Sequence, residues 1–200
     1  MKLIVGRDST WSLRSWLCAS LAGFMPELEI IDLSRGEASK QLHRLSPTGL
    51  VPVLKDGDIE VHDSLAIAEY LNEQSDGNLY PSDTAQRALA RSLCAELHAG
   101  FPLLRSRCPF TLDAVTPVQP DAAMQRELTR IERIFSNANS HFYFAQPSVV
   151  DAFFAVMAVR LQHYGLELVG SAGEYQHQLL RWPALKEALK QARLWREAGA

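Results

Sequence analysis

Val51-Pro52-Val53-Leu54 reads as a short buried strand with a proline inside it. Proline has no N–H to give to a ladder, so in sheets it is confined to edges, strand starts and bulges. Any fold for this chain must therefore begin or interrupt sheet pairing here. Downstream, Asp56-Gly57 separates Val51–Lys55 from Ile59–Val61. That pair is a hairpin signal, because glycine adopts the positive φ that a tight turn needs.

The flanking segments complete a pattern. Lys2–Gly6 reads as a strand, and Asp8-Ser9-Thr10 as a turn and helix cap. Leu13, Trp16, Leu17, Ser20, Leu21 and Phe24 recur at three- and four-residue steps, which predicts a helix ended by Pro26. Leu28–Leu33 is a strand, Lys40–Leu45 a short helix, and Ser64 opens a helix carrying Leu65, Ile67, Ala68 and Leu71. The order is βαβ, then ββα.

After Asn72 the texture changes. Ser75-Asp76-Gly77-Asn78 and Tyr80-Pro81-Ser82-Asp83 read as a linker. Beyond it the periodic segments are helical, roughly Ala85–Leu104, Asp121–Asn137, Val149–Tyr164 and Pro183–Ala198. The expectation is an α/β domain over residues 1–76 and an all-α domain over 84–200. Ser148-Val149-Val150-Asp151 fits a capping box with Asp in place of Glu, and Ala152–Val159 is apolar on all sides. A helix apolar all round is a buried one, which assigns Asp151 to folding rather than catalysis. Phe142, Tyr143 and Phe144 are expected in the core.

Composition narrows the function. With 47% hydrophobic residues, the chain can build a core and disorder is not expected. Lys+Arg number 20 against Asp+Glu 23, a net charge of −3 with no basic run, which argues against nucleic acid as partner. Cys18, Cys94 and Cys108 are odd in number and widely spaced, so neither a disulfide framework nor a metal site is expected. Reduced thiols suit the cytoplasm. The N-terminus turns polar too soon for a signal peptide, and the apolar run at 152–159 is too short to span a bilayer.

These motifs together resemble the cytosolic glutathione transferases over nearly the whole chain. Asp8-Ser9-Thr10-Trp11-Ser12-Leu13-Arg14 resembles the Ser-Ser-x-Ser-x-Arg start of the zeta class and of a bacterial group that opens Ser-Ser-Trp-Ser-Leu-Arg. Ser46 to Leu54 is similar to the family's Asn-Pro-x-x-x-Val-Pro-x-Leu. His62 to Leu71 is similar to its (Glu/Gln/Asp)-Ser-x-Ala-Ile-x-x-Tyr-Leu, and Ser148–Asp151 to its N-capping box. Each motif alone is weak; four in order at these distances are specific.

The resemblance implies a thioredoxin-like βαβ–ββα domain followed by the family's helical domain. It also implies a cis Val51–Pro52 bond that leaves the main chain of Val51 open to pair with the backbone of a peptide-like ligand, as an added strand would. Glutathione is such a ligand, as substrate or cofactor. Asp63 would pair with its glutamyl ammonium, and Ser64, at a helix start, would hold its carboxylate. Either residue would also serve as a plain cap. A thiol with a pKa of about 8.5 must ionise to attack, and a hydroxyl at the first helix start assists by hydrogen bond and dipole. The motif points to Ser9 for this role, with Thr10 next. Trp11, Pro52 and His43 fall within the glutathione-binding set, with Lys40 a second candidate for the glycyl end. Glu96, His98, Phe101 and Arg105 are candidates for a second-substrate pocket.

With no cysteine from Ser9 to Ser12, exchange chemistry that needs a protein thiolate is disfavoured. The expected activity is glutathione transfer to a small electrophile by a homodimer. One alternative is cis–trans isomerisation of a maleylacetoacetate-like diacid, although Trp11 stands where the zeta motif has cysteine. The other is a non-catalytic dimerisation module.

Overall fold

Strand β1 (Lys2–Gly6) is the hub of a mixed sheet. It pairs in parallel with β2 (Glu27–Ile31), reached through α1 (Thr10–Leu21), and antiparallel with β3 (Val53–Asp56). A turn through Gly57 (φ 59°) joins β3 to β4 (Ile59–His62), giving the order β2-β1-β3-β4. The computed structural model describes residues 1–34, 36, 38–139 and 141–198.

Side-chain alternation divides the sheet into two faces. Ile4, Ile31 and Val53 form a buried cluster with Ala38 and Leu42 of α2 (Ala38–Leu45). Leu3, Val5 and Leu54, of opposite parity, are also buried. Helices α1 and α3 (Ser64–Gln74) pack on each other; α1 also lies against β1, and α3 against β3 and β4.

The boundaries depart from the sequence reading for identifiable reasons. Helix α1 stops at Leu21, before Phe24, because Gly23 turns left-handed (φ 85°) and the Phe24 N–H closes onto the Ala19 carbonyl. Strand β2 stops at Ile31, and Asp32 turns its carboxylate to Arg7 and Ser34. Strand β3 starts at Val53 rather than Val51, and the Val51–Pro52 bond is cis.

The remaining helices are α4 (Thr84–Ala99), α5 (Pro102–Arg107), α6 (Ala122–Ser136), α7 (Val149–His163), α8 (Gly170–Arg181) and α9 (Pro183–Glu197). The single helix expected over Ala85–Leu104 is two. Phe101 sits at φ 58°, Pro102 opens the second helix, and Glu127 caps it by accepting from the Leu103 and Leu104 N–H groups at 3.0 and 2.8 Å. Helix α8 had no counterpart in the sequence reading.

Helix α7 is buried along nearly its whole length. Asp151 is fully buried at its N-terminus and accepts from the Tyr143 N–H (2.8 Å), the Ser148 N–H (2.8 Å) and hydroxyl (2.9 Å), and the Tyr175 hydroxyl (2.7 Å). Burial pushes its pKa up, and these donors oppose that. Tyr143 and Phe144 are buried, and Phe142 stacks edge-on against Trp182. The chain divides into two compact units, Met1–Tyr80 with Glu187–Ala200, and Pro81–Lys186.

Candidate active site

Strand register alone brings the N-terminal candidates together. Ile4 pairs with Val53, and Val53 pairs with His62. The C-terminal end of β1, the N-terminal end of β3 and the C-terminal end of β4 therefore share one end of the sheet. The β1–α1 loop carrying Ser9, the Val51–Pro52 segment and the Asp63–Ser64 pair emerge there. Gly6 shows how closely two of them approach: a Cβ on it would lie 2.8 Å from Cγ2 of Val51. Only glycine fits at that position without displacing the valine.

Ser9 is the N-cap of α1. Its Oγ accepts from the Ser12 N–H at 3.2 Å, and its own N–H donates to the Gly6 carbonyl at 3.1 Å. The described contacts give its hydroxyl proton no acceptor, so that proton is available to an anion. The first N–H groups of α1 and its dipole favour negative charge at the same place. Ser12 is fully buried, and its hydroxyl accepts from the Gly6 N–H at 3.1 Å, which ties helix to strand. Thr10 is the first helical residue, and its carbonyl accepts from Arg14 at 3.3 Å.

Trp11 is engaged on its face by the Arg14 guanidinium, 4.5 Å from the ring centroid. Arg14 is itself 2% exposed, so this cation is part of the helix packing. Cys18, buried one turn further on, has its thiol pushed up to about 12 by desolvation, with Arg14 opposing. It is neutral at physiological pH and is no nucleophile.

Val51 packs its side chain against the Ile4–Ile31–Val53 cluster while its main chain lies outside the ladder. Asp63 holds φ 74°, unusual for a non-glycine residue, and its Oδ1 accepts from the Leu65 and Ala66 N–H groups at 2.8 and 3.3 Å. Ser64 follows at the first position of α3. It is 1% exposed, and its Oγ has no hydrogen-bond partner among the described residues. An unsatisfied buried hydroxyl costs about 1–3 kcal/mol and asks for an explanation.

His43 is exposed in the last turn of α2; its Nδ1 lies 2.6 Å from the Ser39 carbonyl and its ring rests on Gly49 (φ 66°). It thus borders the loop that leads into Val51. Lys40 is exposed on the same helix.

The four second-substrate candidates lie in the other unit. Glu96 makes a two-pronged pair with Arg130, at 2.5 and 2.7 Å. The His98 carbonyl accepts from Arg105 at 3.3 Å, and Phe101 is buried at the α4–α5 break. A cavity of about 400 Å³ in that unit is lined by Leu89, Leu93, Arg130, Ile134, Tyr143 and Phe144, among others, and by none of the four. Sequence reasoning missed Arg7, which the fold places next to the Ser9 loop; a lone arginine after a strand gave no signal.

Residues 8–74 match the family model described as the glutathione S-transferase N-terminal domain. Glutathione S-transferase 1 of Dianthus caryophyllus is 42% identical over 81 residues, covering 40% of this chain and 36% of that protein. A probable maleylacetoacetate isomerase of Vibrio cholerae is 36% identical over 98 residues, covering 45% and 46%. The chain thus spans less than half the length of these curated relatives. A crystal structure of a Burkholderia glutathione transferase homologue with bound glutathione superposes with a TM-score of 0.72 at 22% identity, covering 96% of this chain and 97% of that one. The fold shared with it is a thioredoxin-like domain with a mixed four-stranded sheet, followed by a helical domain.

Proposed function

We propose that the chain, whose residues 8–74 match the glutathione S-transferase N-terminal domain, binds glutathione and activates its thiol for attack on a small electrophile, as a detoxifying transferase acting in the cytoplasm as a homodimer. Ser9 donates a hydrogen bond from its hydroxyl to the thiolate at the N-terminus of α1. The main chain of Val51, beside Pro52, pairs with the cysteinyl amide. Asp63 faces the glutamyl ammonium and Ser64 the glutamyl carboxylate, with Thr10, Trp11 and His43 around them. Free thiol is only a few per cent ionised at neutral pH. A donor and a helix terminus that favour the anion raise that fraction without a protein cysteine.

The observation that carries this reading is the buried, partnerless hydroxyl of Ser64 at the start of α3. A carboxylate bound there accepts from that hydroxyl and from free helix N–H groups at once. Isothermal titration of the full chain with glutathione tests it. Heat with a saturable isotherm at millimolar ligand or below supports it. No heat rejects it in favour of a non-catalytic dimerisation module.

A second reading keeps the same site but returns glutathione unchanged, and the similarity to the Vibrio cholerae protein favours weighing it. Isomerising a diacid calls for cations to hold two carboxylates. Arg107 already pairs with Asp121 at 2.6 Å, and Arg14 is buried against Trp11. Those engagements favour transfer. A diacid assay in which glutathione is not consumed would reverse the preference.

A further inference from the structure

Arg7 and Asp8, the residues immediately before Ser9, are held by the last turn of α9. The Arg7 guanidinium donates from Nε to the Trp195 carbonyl at 3.1 Å and from Nη2 to the Arg196 carbonyl, and its Nη1 pairs with Asp32 at 2.8 Å. In return, Nε of Arg196 donates to Oδ1 of Asp8 at 2.5 Å. The arrangement is reciprocal: a side chain from each segment reaches the other, so two chain ends 188 residues apart in sequence are fastened at adjacent positions. Asp8 sits at φ 58°. That left-handed turn leads the chain from the end of β1 into the N-cap of α1. Carbonyls at a helix C-terminus lack intrahelical partners and carry negative potential, which explains why an arginine is the residue that meets them.

Resting on the assignment of Ser9 above, we propose that the end of α9 is a positioning element for the thiolate site. Arg196, through Asp8, and the α9 carbonyls, through Arg7, fix the turn that aims the Ser9 hydroxyl. Neither arginine touches glutathione in this scheme; both act through the loop.

The test uses the full chain with Arg196→Ala, Asp8→Asn, their double variant and Arg196→Lys. Asn tolerates the left-handed conformation of Asp8 and removes only the charge. Two readouts are taken: the pH titration of bound glutathione by thiolate absorbance, and amide exchange at Ser9 and Ser12, whose N–H groups donate to Gly6 O and Ser9 Oγ. Each single variant should lower the thiolate fraction at neutral pH about threefold, the scale of a half-exposed ion pair. Exchange at both amides should quicken, and glutathione affinity should stay nearly constant. The double variant should do no more than either single one, as for partners in one interaction, and Arg196→Lys should restore most of the effect. A lowered melting temperature with unchanged titration and exchange reduces α9 to a structural role and overturns the inference, as does additivity in the double variant. The wild-type titration separates the two claims. A wild-type thiol that ionises as in water defeats the Ser9 assignment, whereas the exchange of Ser9 and Ser12 reads the clamp without any ligand.

Discussion

Ser64 carries a buried hydroxyl with no hydrogen-bond partner among the described residues. Its removal should therefore separate stability from binding. Ser64→Ala is expected to leave the ligand-free protein as stable as wild type or slightly more so, because the penalty of an orphaned hydroxyl disappears. The same change should weaken glutathione about tenfold, the worth of one hydrogen bond to a charged group. Thermal melts and calorimetric titration read the two effects, and a parallel loss in both would contradict the argument. Ser9 predicts a loss in both. It is an N-cap through Ser12, so Ser9→Ala should cost about 1 kcal/mol of stability. It should also cut the thiolate fraction of bound glutathione about tenfold, seen as a raised pKa in the absorbance titration. At this scale much was legible in sequence, because caps, hairpin glycines and a proline in a strand are local chemistry. Arg7 and Arg196 were not, since the partners of a surface arginine depend on chain segments that only folding brings together.

Elements were read most accurately where one periodicity dominates. Lys2–Gly6, the Asp56-Gly57 turn and the apolar length of α7 announce themselves, and the capping pattern at Ser148–Asp151 is present as Ser148 donating twice to Asp151. The α4–α5 break was missed because Gly100 and Phe101 carry a helical pattern on either side. The decisive capping group, Glu127, comes from another helix. Helix α8 escaped because Gly170 and Gly173 depress its propensity. A Cβ on Gly173 would come 2.3 Å from the Leu168 carbonyl, so close packing keeps the glycine. Asp151→Ala should cost about 3 kcal/mol or more, because it leaves the Tyr143 and Ser148 N–H groups and the Ser148 and Tyr175 hydroxyls unsatisfied inside the helical unit. Urea melts check it. Asp121, the N-cap of α6, gives a pH prediction. The Met124 N–H, then Arg107, hold its carboxyl below the ordinary 3.8. A lowered carboxyl pKa contributes stability above the unfolded value and loses it as pH falls through the folded one. Melts between about pH 5 and pH 2 should therefore show a fall that Asp121→Asn reduces.

At the scale of the whole molecule, the chain does not divide at a single point. Its first eighty residues group with Glu187–Ala200, so most of α9 falls in the same compact unit as the sheet. Trp195 is the largest side chain involved: it is 1% exposed, and its carbonyl receives Arg7. Truncating a buried tryptophan costs about 3–5 kcal/mol through lost burial and the cavity left behind. In Trp195→Ala that loss should fall on the unit containing β1 and spare α7, whose core of Phe153, Phe154, Phe135 and Tyr175 lies wholly within Pro81–Lys186. Native-state hydrogen exchange resolves the two, since protection reports the free energy of the cooperative unit that opens. Amides of Leu3, Ile4 and Val5 should lose protection while those of Phe154 to Met157 keep theirs. Equal losses in both sets would mean that the two units unfold as one, and that the end of α9 serves the whole chain rather than the sheet alone.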